Sequence, residues 1–148
     1  MSLLARDGYH LHWEQSGSGS PVLLVMGAVY SSAMWYPALP LLRAHHALVS
    51  FDNQGTGRSS WRPGVSIEDL AADALAVLDA AGLETAHVYG ISLGGVLALE
   101  LAKAAPERVR SLVAIATCAQ ATAQQIAWGA IGRRSIRLDP RWRGGDYY

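Results

Sequence analysis

The chain is poor in several things, and each shortage excludes a class of protein. Of its 148 residues only Cys118 is a cysteine. No internal disulfide can form, which points to a reducing compartment, the cytoplasm, and away from a stapled secreted scaffold. No apolar run approaches the ~18 residues of a membrane-spanning helix. Net charge is lacking too: twelve basic residues balance twelve acidic ones, so nucleic acid and anionic membrane surfaces are not expected partners. Lysine occurs once, at Lys103, beside eleven arginines, a bias that nothing in the sequence explains. Residues 1–6 lack the basic start, apolar core and small-residue cleavage site of a secretion signal. His10 and His12 have the i, i+2 spacing of a metal pair, but no cysteine or third histidine lies near them, so neither a metal nor a cofactor is expected.

What the chain does have is 51% hydrophobic residues in a length that suits one domain. Residues 2–5 and 9–14 read as a hairpin turned at Asp7-Gly8. In its second strand Tyr9, Leu11 and Trp13 alternate with His10, His12 and Glu14, which predicts an apolar face on the core and both histidines outward. Residues 22–26 and 47–51 are continuous apolar runs of the kind buried on both faces of a parallel sheet. Between them Ser31 or Ser32 can cap one helix carrying Met34, Trp35, Leu39 and Leu42, with Pro37 near its start. A second helix opens at Ser66-Ile67-Glu68-Asp69 with a capping serine and early acids, and closes at Gly82. A strand, a helix ending before Pro106 and a last apolar strand over 111–116 follow. Strand and helix thus alternate, which predicts an α/β fold: a three-layer sandwich with a mostly parallel sheet and an N-terminal antiparallel hairpin.

The chemistry concentrates where the fifth of these strands meets its helix, in Gly90-Ile91-Ser92-Leu93-Gly94-Gly95. A serine on so sharp a turn takes a strained backbone, and side chains at positions 90 and 94 would clash. The result is an exposed hydroxyl at a helix N-terminus, where free N–H groups favour a developing negative charge. Ser92 is therefore the candidate nucleophile, and the Leu93 N–H is one half of a candidate oxyanion hole. Gly27-Ala28 and the segment 52–60 end their own strands at the same edge, where ligands of such sheets bind. Within 52–60, Gly55-x-Gly57 imitates a dinucleotide fingerprint, but Ser60 stands where its third glycine would be and no helix follows.

Together these motifs resemble the α/β-hydrolase superfamily. Met26-Gly27-Ala28 is similar to the turn that gives that family its second oxyanion N–H, which by resemblance falls on Ala28. Met26 stands where many members have histidine. Asp52-Asn53-Gln54-Gly55-Thr56-Gly57-Arg58-Ser59 is similar to a structural brace of the family's site, and Gly90 to Gly95 to its nucleophile elbow. The resemblance implies a small ester, a lactone or another acyl donor as substrate. Residues 119–148 resemble the start of the lid in homoserine O-acetyltransferase-like proteins, which leaves residues 1–118 as core and acyl transfer as an alternative. The five arginines from Arg133 to Arg143 could bind a carboxylate or a phosphate, but a solvated face is the reading preferred.

A serine hydroxyl is a poor nucleophile unless a histidine takes its proton and an acid orients that histidine. All five histidines precede Ser92. By the resemblance, the family's acid and histidine follow the lid, so the chain reads as an N-terminal portion truncated before the last strands and inactive alone. Its last apolar strand would then be an exposed sheet edge, open to self-association or to a complementing C-terminal polypeptide. A non-catalytic remnant or interaction module is the other class left open.

Overall fold

Asp7 and Gly8 fold the start of the chain back on itself. Strands β1 (Ser2–Arg6) and β2 (Tyr9–Ser16) pair antiparallel with Arg6 opposite Tyr9, and Gly8 takes the positive φ of +77° that the tight turn needs. Four further strands follow: β3 (Ser20–Val25), β4 (His46–Phe51), β5 (Ala86–Ile91) and β6 (Val109–Ile115). They form one sheet in the order β1-β2-β4-β3-β5-β6. β2 meets β4 antiparallel, while β4, β3, β5 and β6 run parallel. This computed structural model describes residues 2–119, so the expected lid segment and its arginines lie outside the described residues.

The central strands are buried on both faces, as their unbroken apolar runs require. Val22, Leu23, Leu24 and Val25 have no exposed surface, and alternate residues face opposite layers. Leu23 and Val25 pack with Val49, Phe51 and Val88 beneath α2 (Ile67–Ala80) and α3 (Leu93–Ala104). Val22 and Leu24 pack with Met26, Trp35 and Leu48 on the other side. Those two apolar clusters define three layers. α2 is held at its start by a reciprocal capping box, in which Asp69 N–H donates to Ser66 Oγ and Ser66 N–H to Asp69 Oδ2, at 3.1 and 3.0 Å.

Two expectations fail here. Residues 31–42 do not form one helix but a 3₁₀ turn, Ser32–Trp35, and the four-residue α1, Leu39–Leu42. Pro37 and Pro40 have no N–H to continue an α ladder, so the chain closes tighter bonds instead, Tyr36 N–H to Ala33 O and Ala38 N–H to Trp35 O. Neither Ser31 nor Ser32 caps a helix with its side chain. The second failure is His12, which is 3% exposed and not outward. The segment 52–60 lies along β2 and covers that face: Ser60 N–H donates to His10 O, and His12 N–H to Ser59 Oγ.

A buried acid stitches the hairpin to the rest. Asp73 of α2, 1% exposed, accepts from Tyr9 Oη at 2.5 Å and Gln54 Nε2 at 2.6 Å, with Arg6 Nε 3.3 Å away. Burial, and then the bond to Asp73, raise the Tyr9 phenol above its ordinary value, because both favour the protonated hydroxyl.

A candidate active site at the β5–α3 turn

β5 ends at Ile91 and α3 begins at Leu93, leaving Ser92 alone to reverse the backbone. It does so at φ +55° and ψ −120°, a region that costs a non-glycine residue about 1–3 kcal/mol. The surroundings hold it there: Ser92 N–H donates to Ile115 O at 2.8 Å, and Gly95 N–H to Ser92 O at 2.9 Å. The glycines around it are where other backbone passes. A Cβ at Gly90 would strike the carbonyl of Gly94 and come within 2.7 Å of Gly95 Cα. One at Gly94 would strike Val25 O, and one at Gly95 would sit 2.5 Å from Thr117 Cγ2. Leu93 opens α3, where the first N–H groups have no carbonyl one turn back to bind.

The turn after β3 arrives beside this serine. A Cβ on Gly27 would lie 3.2 Å from Ser92 Cβ and 3.8 Å from its Oγ, so only glycine lets the two turns approach freely. The next residues bend sharply: Val29 takes φ +65°, an outlier for a β-branched side chain. Asn53 Nδ2 donates to Met26 O at 2.9 Å, fixing the turn from below.

Asp52 is the buried anchor of the third segment. Its Oδ1 accepts from both the N–H and the hydroxyl of Ser32 at 2.7 Å, and its Oδ2 accepts from Arg58 N–H at 2.9 Å. Ser59 Oγ donates to its carbonyl at 2.6 Å. Gly57, at φ +50°, passes against the carboxylate where a Cβ would collide, and Gly55, at φ +77°, passes against Trp61. These residues shape the loop without reaching the serine's cavity.

That cavity, about 300 Å³, is lined by Met26, Gly27, Ala28, Tyr30, Met34, Ile91 and Ser92. Ser92, Gly27 and Ala28, singled out in the sequence, thus share one hollow. Tyr30, Met34 and Ile91 were not foreseen there. The one signal available was their nearness to Ala28 and Ser92 in the chain. A larger, open hollow of about 480 Å³ beside Gly82, Glu84 and Arg108 lies at the opposite end of β5. Its cation is already engaged, since Arg108 donates to Glu84 O, Leu83 O and Asp79.

No histidine bonds Ser92 among the described residues. His87, at the start of β5, sits between Ser111 Oγ at 2.7 Å and Ser20 Oγ at 3.1 Å. His10 pairs with Ser60 Oγ at 2.6 Å. His12 lies between Asp52 and Glu14, 3.5 and 3.4 Å from their carboxylates. His46 opens β4 and His45 precedes it, at the far end of the sheet from Ser92. The described residues also hold no cluster of three metal-ligating side chains and no helix long and apolar enough to cross a membrane.

Residues 20–148 match the family model described as alpha/beta hydrolase fold, in keeping with the mostly parallel sheet, the strained serine between strand and helix and the glycine turn beside it: the chain belongs to that family. Among its relatives is RutD of Azorhizobium caulinodans, named as a carbamate hydrolase, 46% identical over 106 residues that make up 71% of this chain and 40% of RutD. Homoserine O-acetyltransferase of Thermobifida fusca is 47% identical over 87 residues, 58% of this chain and 23% of that protein. A hydrolase from Pseudomonas aeruginosa superposes with a TM-score of 0.84 at 32% identity, covering 93% of this chain and 52% of its own. The chain spans less than half of these curated relatives.

Proposed function

We propose that Ser92 is the nucleophile of an enzyme that hydrolyses a small carboxylic ester or lactone through an acyl-serine intermediate. The observation that carries this is the positive-φ serine at the start of α3, facing the same hollow as Gly27 and Ala28. Ser92 Oγ attacks the carbonyl carbon and gives up its proton to a base. The amide N–H groups of Leu93 and Ala28 receive the negative charge on the carbonyl oxygen. The C–O bond to the alcohol breaks and the alcohol oxygen takes the proton, leaving as a free alcohol from an ester or staying tethered to the acyl group from a lactone; water then releases the acid by the same path reversed. A carbamate carbonyl, as the name of RutD suggests, would fit the same steps.

The base is the missing part, because every histidine of the chain has another place in the fold. In this proposal a histidine and its acid come from polypeptide other than these 148 residues, and the isolated chain is inert. A second reading replaces water by a substrate hydroxyl, making an acyltransferase. The identity to homoserine O-acetyltransferase favours it.

The test is a chimera in which this chain replaces the matching 40% of RutD. It should hydrolyse p-nitrophenyl butanoate, and Ser92→Ala should return the rate to background. Added homoserine should collect the acyl group only under the second reading. A folded chimera that cleaves nothing would leave the chain as a non-catalytic interaction module.

A further inference from the structure

We propose that the hollow beside Ser92 is an acyl pocket that selects a short, uncharged, apolar acid group, with Met26, Tyr30, Met34 and Ile91 setting the selection. This rests on the reading of Ser92 as nucleophile and adds the substrate class. Among the described residues, every side chain on the lining except the Ser92 hydroxyl and the Tyr30 phenol is hydrocarbon or thioether, and none is charged. A carboxylate or ammonium on the acid group would therefore be stripped of water with no partner, which such a wall rejects. The size points the same way, since about 300 Å³ is the lower bound of ligand cavities and suits a short chain.

The walls are built to hold this shape. Met26 and Met34 lie against Trp35, Val22, Leu24 and Leu48, so the floor is continuous with the apolar layer under the sheet. Methionine adapts to irregular acyl shapes better than a branched residue does. The rim is set by strain: Val29 at φ +65° turns the chain so that Ala28 and Tyr30, one residue on either side of it, both face the hollow. Strain of this kind persists where a site requires it. Tyr30, 47% exposed, stands at the mouth, where a longer acyl chain would meet it.

The experiment uses the three methionines, Met1, Met26 and Met34, as reporters in carbon-13 methyl spectra of the full 148-residue chain. Methyl butanoate should shift the Met26 and Met34 signals saturably and leave Met1 in place. Monomethyl succinate, of similar length but charged at the acid end, should bind at least tenfold more weakly. Met34→Lys should reverse that preference, and Met34→Leu should preserve it. Equal shifts from both esters, or none from methyl butanoate in a chain whose other methyl and amide signals show it folded, would overturn the inference. Repeating the titration on Ser92→Ala separates the two readings. Selective shifts in both forms, with no ester turnover by the RutD chimera, would remove the nucleophile and leave a pocket for uncharged ligands. Turnover without selectivity would remove the pocket and leave the nucleophile.

Discussion

At the scale of single residues, the glycines around Ser92 do different work from those in open turns. Gly94 has Val25 O where a Cβ would go and Met26 O 2.8 Å from it, so backbone would have to move. Gly64 has only a positive φ of +76° and open space. Gly94→Ala should therefore cost about 1–3 kcal/mol from overpacking alone and disturb the elbow, while Gly64→Ala should cost about 1 kcal/mol and leave the site intact. Denaturant midpoints of the two variants check this, and an equal loss would contradict it. Asp52 makes a second prediction. In Asp52→Asn one acceptor oxygen becomes an NH₂ facing an N–H donor, since Ser32 and Arg58 occupy both oxygens. The loss should be about 1.5–3 kcal/mol, as for a hydrogen bond to a buried charge, and loop 52–60 should loosen in amide exchange. Ser92 and its glycines were legible in the sequence because strand, turn and helix are contiguous and leave a fixed spacing, even though what crowds Gly94 and Gly95 comes from Val25 and Thr117 elsewhere in the chain. The pocket wall was not, because Tyr30 and Ile91 become neighbours only when β3 and β5 pair.

Among the elements, α2 carries a pH dependence whose sign follows from its cap. The Ser66 N–H bond, first, and the Ser66 hydroxyl hold the Asp69 carboxyl below its ordinary value. A carboxyl with a depressed folded pKa contributes stability above its unfolded pKa, about 3.9, and loses it as pH falls through the folded value. The advantage of the parent chain over Asp69→Ala in thermal midpoint should thus hold above about pH 5 and shrink as the pH falls below about pH 4. An advantage that held constant would show that the cap does not depend on the charge. This helix was readable from sequence because serine, acid and apolar period all agreed. The segment after β3 was misread because the apolar spacing of Met34, Trp35, Leu39 and Leu42 is helical while Pro37 and Pro40 break the ladder, and the prolines prevail. His12 was misread because alternation along β2 does not show that residues 52–60 return to cover the strand.

For the whole molecule, the sheet ends among the described residues at β6, with Val113 and Ile115 about two-fifths exposed at 37% and 40%. An apolar parallel strand left open in this way invites pairing. We expect the isolated chain to self-associate in sedimentation experiments, and Val113→Lys with Ile115→Lys to shift it toward monomer. A monodisperse parent monomer would count against an open edge. Because no histidine bonds Ser92 among the described residues, the proposed function predicts that the chain alone should resist serine-directed reagents. The most direct measurement is intact mass and peptide mapping of the RutD chimera after treatment with an alkyl fluorophosphonate. The account predicts one adduct per chain, on Ser92, and none in Ser92→Ala; a folded chimera that stays unmodified, or carries its adduct elsewhere in both forms, would contradict it.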